Sequence, residues 1–221
     1  IDPEHLDYYG SIERVYEGYL KFINRVPSYG LAALCIDSVA VRALLPRVRK
    51  RFVTYGLASD ADLQAVHTRV DANGTRFDVL ERGRWVGEVQ LRMLGRHNAQ
   101  NALAVIAVAC ELGITFETTA HALASFEGIH RRFEVKGEVG GVTVVDDYGH
   151  HPEEVKATLR AAREGFGRRL IAVFQPHRYS RTRDLLPEFL GAFDDADLLV
   201  LTDIYAAGED RIEGITGEAL Y

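Results

Sequence analysis

Cysteine is scarce in this chain: Cys35 and Cys110 are the only two among 221 residues. Both lie in apolar segments, so they read as buried thiols of a reducing compartment rather than as a disulfide framework. No apolar run approaches the roughly 20 residues that cross a bilayer, and Ile1 to Leu20 carries no signal-peptide pattern. Repeats and low-complexity tracts are missing too. Lys and Arg number 26 against 32 Asp and Glu, a net charge of -6, which argues against a general nucleic-acid or membrane-surface role. No Gly-x-x-x-x-Gly-Lys-Ser/Thr pattern occurs, so the lysine-bearing loop that cradles nucleotide phosphates is lacking. No His-x-x-x-His pattern supports a metal hydrolase built on His150, His151 and His177. What remains fits a soluble cytoplasmic protein. Its 47% apolar content is ample for a packed core, and the length suits one or two modest domains.

Most of the chemistry that is present lies in two segments. The first is Gln175-Pro176-His177-Arg178-Tyr179-Ser180-Arg181-Thr182-Arg183-Asp184. It follows the apolar run Leu170–Phe174, expected to be a buried strand, and precedes Leu185–Phe193, whose apolar residues recur at helical spacing. In a doubly wound sheet, ligands bind where a strand ends and a helix begins. Arginine's planar fork suits a carboxylate or phosphate there better than a lysine point charge. The plain alternative is a solvated basic turn.

The second segment is Val142-Thr143-Val144-Val145 followed by Asp146-Asp147-Tyr148-Gly149-His150-His151-Pro152, with Glu153 and Glu154 opening a helix. Its β-branched start reads as a buried strand, and Pro152 suits a first helical position. Structure alone requires only the glycine and the proline. Asp146 or Asp147 also suits an ordinary cap, and one of the two histidines suits packing. If both loops lie on one edge of a single parallel sheet, acidic, imidazole and guanidinium groups surround one cleft.

Along the chain, Ser11 is expected to cap a helix whose stripe is Val15, Tyr19, Phe22 and Val26. Gly30–Ile36 and Phe52–Gly56 read as strands, with a short helix from Asp37-Ser38 to Leu45. Gln64–Leu94 alternates around Asn73-Gly74 and Arg82-Gly83, the pattern of an antiparallel meander. His97–Leu112 and Phe116–Phe126 read as helices, and Gly128–Arg132 as a linker. Strands separated by helices give an α/β protein with mainly parallel sheets. The expected division is residues 1–127, then 128–221. Asn98 and Asn101, three apart, can turn their amides to one side of a helix start, as purine contacts or as caps.

Asp147–Pro152, Gln175–Arg183 and Gly95-Arg96-His97-Asn98-Ala99-Gln100-Asn101-Ala102-Leu103 together resemble the Mur ligase family. The opening Ile1-Asp2-Pro3-Glu4-His5-Leu6-Asp7 is similar to a family segment that follows the ATP-binding loop. Arg131-Arg132-Phe133-Glu134 looks like the family's junction between central and C-terminal domains. The motifs occur in family order over nearly the whole chain. The resemblance implies the remainder of a central ATPase-type domain and an incomplete Rossmann-like C-terminal domain. An N-terminal UDP-binding domain and a phosphate-cradling loop belong to the family pattern and do not occur here. We therefore expect an internal fragment, inactive alone.

What the resemblance further implies is ATP-dependent amide formation, through an acyl phosphate, between UDP-N-acetylmuramate and L-alanine, with ATP and Mg2+ as cofactors. His150 and His177 would be catalytic. Arg178, Arg181 and Tyr148 would bind substrate, and Asn98, Asn101, Arg132 and Asp147 would bind ATP. His5 would be a magnesium ligand. A murein-peptide recycling ligase is the within-family alternative, and a non-catalytic nucleotide-binding module is the alternative of another class. Neither nucleic acid nor membrane insertion is expected.

Overall fold

The structure, a computed structural model, describes residues 1–3 and 6–220. Two compact units emerge: Ile1–Arg69, Arg76–Leu91 and His97–Phe126 form the first, and Val70–Thr75, Arg92–Arg96 and Glu127–Tyr221 the second.

In the first unit a five-stranded sheet runs β1 (Ala32–Cys35), β2 (Phe52–Gly56), β3 (Leu63–Asp71), β4 (Gly74–Glu81) and β5 (Arg84–Leu91), in that order. The first three strands are parallel, with Ala33 opposite Val53 and Tyr55 opposite Leu63. The last two joins are the two-residue connections that close antiparallel hairpins. Arg82 and Gly83 both take left-handed backbone there, φ 47° and 79°. Helices α1 (Leu6–Tyr9), α2 (Ile12–Ile23) and α3 (Val39–Leu44) precede β2, and α4 (Arg96–Glu111) and α5 (Phe116–Ser125) follow β5.

The apolar residues of α4 recur at helical spacing as Ala99, Ala102, Leu103, Ile106 and Ala107, and this stripe packs with Phe77, Val79, Val89 and Leu91 of the meander. Leu103, Val79 and Leu91 are wholly buried. Past the helix end, Gly113 takes φ 76°, the left-handed stop that glycine supplies cheaply. The Ser11 hydroxyl caps α2 as expected. The buried face of that helix is a correction, because it carries Val15, Leu20 and Ile23, while Tyr19 and Phe22 stay exposed. Ile23 packs on the small β1 residue Ala32 and on Leu34, and aliphatic side chains rather than rings face that strand.

In the second unit β6 (Glu134–Val139) and β7 (Val142–Asp146) form an antiparallel hairpin, and β8 (Ile171–Phe174) pairs in parallel with β9 (Leu198–Leu201). Gly140 and Gly141, at φ 58° and 79°, supply the two left-handed positions of a primed hairpin turn. Helices α6 (Pro152–Phe166), α7 (Tyr179–Asp184) and α8 (Leu186–Leu190) complete the unit. Val155, Leu159, Phe174, Leu185, Phe189 and Phe193 form its core.

Several expectations are corrected here. β7 is not a buried strand: it pairs with β6 in one ladder while β8 and β9 form another, and Val142 and Val144 are exposed. β8 buries Ala172 and Phe174 but exposes Ile171 and Val173. The helix expected from Leu185 starts earlier, at Tyr179, and breaks at Leu185, since Pro187 has no N–H to continue an α-helical ladder. Cys35 is half-buried and Cys110 exposed, so neither is the fully buried thiol expected. The architecture is mixed α/β with parallel strands, as expected.

Candidate functional site

The loop after β7 is held by its own carboxylates. Asp147 accepts the Gly149 amide at 2.7 Å on one oxygen and the Phe133 amide at 2.8 Å on the other. A Cβ on residue 149 would lie 2.9 Å from the first of these oxygens, so a larger residue would push the Asp147 carboxylate from its place. Tyr148 donates its amide to the Arg131 carbonyl at 2.7 Å, and the Arg131 guanidinium sits 4.5 Å above the Tyr148 ring. His151 is the N-cap of α6, buried, with its ring nitrogen accepting the Glu153 amide at 3.4 Å. Glu154 closes the capping box by accepting the His150 and His151 amides, and it also accepts Arg132 at 3.2 Å. Burial pushes the Glu154 carboxyl up, but these donors outweigh it and the net shift is downward.

His150 sends Nδ1 to the Tyr148 carbonyl at 3.0 Å. A carbonyl only accepts, so that nitrogen carries the proton and a neutral ring keeps its lone pair on Nε2. The loop after β8 meets it: the His150 and His177 rings lie 6.0 Å apart. Tyr148 flanks the first ring edge-on at 5.1 Å and Tyr205 the second at 5.3 Å. Burial lowers the His177 pKa, and the nearby Arg181, His150 and Arg178 lower it further, so its imidazole is held neutral near pH 7. Arg181 donates to the His177 carbonyl at 3.3 Å.

Arg178 is locked from outside its own loop. Its amide donates to Tyr205 at 2.8 Å, and the Tyr205 amide donates to Pro176 at 2.8 Å, extending the β8–β9 ladder by one bridge. Its Nε donates to Glu209 at 2.7 Å. The backbone there has φ 75°, a conformation costly for any residue with a Cβ.

Thus the second unit brings together Tyr148, His150, His177, Arg178 and Arg181, with Arg132 and Asp147 bracing the same loop. Although the two strands belong to different ladders, their loops converge. Asn98 and Asn101 lie in the first unit, inside α4 rather than at its cap, with Asn101 donating to the Asn98 side-chain oxygen at 3.3 Å. That corrects the capping alternative and keeps the paired amides. His5 lies outside the described residues.

Sequence reading missed Glu154, whose capping-box spacing behind His151 was available as a signal. It also missed Glu209 and Tyr205, for which no local signal exists. A third cluster was missed in the first unit. Asp37 accepts the amides of Leu57 and Ala58 at 2.7 and 3.0 Å, and the Gln100 side chain as well. It lines an open cleft of roughly 600 Å³ with Tyr16, Cys35 and Ser38.

Comparison with known proteins bears on this arrangement. The Mur ligase middle domain matches residues 1–109, and the Mur ligase, glutamate ligase domain matches residues 131–221. The chain belongs to the Mur ligase family, as its middle and C-terminal domains. It is 59% identical over 220 residues to a UDP-N-acetylmuramate–L-alanine ligase of Anaeromyxobacter sp., covering all of this chain and 48% of that one. With the ligase of the same name from Myxococcus xanthus the identity is 55%, covering 47% of that protein. The chain thus spans about half the length of the curated relatives it matches. The crystal structure of a UDP-N-acetylmuramate–alanine ligase from Thermotoga maritima superposes with a TM-score of 0.74 at 28% identity, over 92% of this chain and 44% of that one. A murein peptide ligase from Psychrobacter arcticus gives 0.58 at 25% identity, over 85% and 40%.

Proposed function

We propose that the chain is the central-domain remainder (1–127) and C-terminal domain (128–221) of a cytoplasmic ligase that uses ATP to join L-alanine to UDP-N-acetylmuramate. The observation that carries this reading is the meeting of His150 with His177, Arg178 and Arg181, two imidazoles beside two guanidinium forks. The identity to alanine-adding relatives supports it.

In this reading Arg178 and Arg181 hold the alanine carboxylate through charge-assisted hydrogen bonds. His150, its Nδ1 committed to the Tyr148 carbonyl, offers Nε2 to the amine, to accept the proton that alanine must lose before it attacks. Neutral His177 lies beside the same pocket without repelling a deprotonating ammonium. The muramoyl carboxylate takes the γ-phosphoryl group and releases ADP; the amine then attacks the acyl carbon, and phosphate leaves with its bridging oxygen. Cationic side chains lower the energy of the oxyanion that develops in that second step.

Asn98 and Asn101 fit a purine edge, since their coupled amides present both donors and acceptors. Arg132 and Asp147 would face phosphate and ribose. ATP, when bound, supplies the phosphoryl group that activates the carboxylate. For Mg2+, the assignment of His5 rests on the family resemblance alone; among the described residues no three His, Cys, Asp or Glu side chains converge. No helix among the described residues is long and apolar enough to cross a membrane.

The test uses the full-length ligase that contains this chain, with alanine and ATP varied separately. Arg178→Ala and Arg181→Ala each remove hydrogen bonds worth roughly 1.5–3 kcal/mol. The KM for L-alanine should rise about ten- to a hundredfold while that for ATP changes little. Small, equal effects on both substrates would return these arginines to a solvated basic turn. A selective loss for ATP would place them on the phosphate side instead.

A further inference from the structure

Glu209 stands 31 residues beyond Arg178, on the stretch that follows β9, and its carboxylate is fully engaged with the arginine loop. One oxygen accepts Arg178 Nε at 2.7 Å and the Ser180 hydroxyl at 2.5 Å, and the other accepts the Ser180 amide at 2.9 Å. The adjoining Tyr205 bridges both sides of Arg178 through the Pro176 and Arg178 backbones. One strand of sequence therefore fixes Arg178 twice, at its backbone and at the inner edge of its guanidinium.

The two arginines are anchored differently. Arg181 leans on the His177 carbonyl, a neutral acceptor, and keeps its whole charge. Arg178 leans on a carboxylate that cancels much of its charge at a distance but fixes the plane of its fork. The Glu209 and Arg178 side chains remain 20% and 32% exposed, so the clasp opens toward solvent rather than lying in the core. Burial pushes the Glu209 carboxyl up, yet the Ser180 and Arg178 donors hold it at about 2, ionised wherever the protein is folded near neutral pH.

We infer that Glu209 is a positioning residue for the amino-acid substrate: it sets the direction of the Arg178 fork, while Arg181 supplies the attraction. This rests on the reading that Arg178 grips the alanine carboxylate. It divides between two arginines a job that the reading gives to both. A rival with the same contacts makes Glu209 a competitor, an internal carboxylate occupying the place a substrate carboxylate wants.

Steady-state kinetics of the full-length ligase separate these outcomes. Glu209→Gln keeps an oxygen for Ser180 but loses the charged acceptor for Arg178. We expect the KM for L-alanine to rise about tenfold, with the KM for ATP within about twofold of its starting value. Arg178→Ala combined with Glu209→Gln should be no worse than Arg178→Ala alone, because a residue that acts only through Arg178 has nothing further to lose. Glu209→Asp should recover part of the loss.

A fall in the alanine KM on Glu209→Gln would overturn the inference in favour of competition. Additive losses in the double variant, or equal losses for alanine and ATP with a lowered Tm, would reduce Glu209 to scaffold. If Arg178→Ala leaves the alanine KM unchanged, the substrate assignment itself falls and takes this inference with it. Should Glu209→Gln not fold, Ser180→Ala, which removes only the hydroxyl donor, should still raise the alanine KM by a few fold. No change there would refute the clasp.

Discussion

The two units keep their candidate functional side chains in place by different means. In the first, Asn98 and Asn101 ride on α4, whose inner face holds Leu103 and Ile106, at 0% and 1% exposure, against the buried sheet residues Val79, Val89 and Leu91. In the second, the functional loops spring from strands with exposed outer faces, such as Val142 and Val173, and are stitched by carboxylates: Asp147, Glu154 and Glu209. One scaffold positions by volume and the other by charge. Volume errors cost stability wherever they fall, whereas errors in a polar clasp change direction and affinity first.

The comparison can be broken most forcefully in the first unit. Leu103→Ala leaves a cavity in a core that cannot collapse onto it, and should cost about 2–5 kcal/mol by chemical denaturation. A loss under 1 kcal/mol would mean this core is loosely packed and the contrast false. Next comes Asp37→Ala, which strands the Leu57 and Ala58 amides and the Gln100 side chain, at a cost of about 1–3 kcal/mol. An effect near zero would show that solvent replaces this carboxylate freely.

The acid response probes the second unit. Glu209 titrates at about 2 when folded and near 4.5 ordinarily. A depressed carboxyl gives stability that is fully present above 4.5 and lost as the pH falls toward 2. Glu209→Gln should therefore flatten the dependence of the denaturation midpoint on pH across that window, and an unchanged slope would mean another group controls it. The smallest expected effect is Val173→Thr, on the exposed face of β8, within about 0.5 kcal/mol. The same change at Val79, wholly buried in β4, should cost several times more. Equal costs at the two positions would erase the distinction between the units.

Legibility in the sequence followed the range of the interactions. Phe52–Gly56 and the meander were readable because a run of aromatic and β-branched residues and two short turns act over a few residues. The start of α6 was readable because Pro152 suits a first helical position and Glu153 and Glu154 follow it, although the cap proved to be His151 rather than an aspartate. The burial of β7 was misjudged, since Val142–Val145 reads alike in a core strand and in a hairpin. Its partner β6, alternating Glu134, Lys136 and Glu138 with valines and a glycine, carried no apolar run to betray it. The convergence of the His150 and His177 loops was legible from residue types, although the single sheet invoked to explain it is not what joins them. Glu209 was illegible because nothing near it in sequence asks for a carboxylate; only the returning chain brings Arg178 alongside.

One consequence of the left-handed backbone at Arg178 concerns the evolution of the protein. Holding a residue with a Cβ at φ 75° costs on the order of 1–3 kcal/mol that glycine would return. Arg178→Gly returns that cost but leaves the Glu209 carboxylate without its Arg178 donor, so Tm should change little while the alanine KM rises. A lineage without need for the amino acid would therefore meet little folding penalty for glycine at this position.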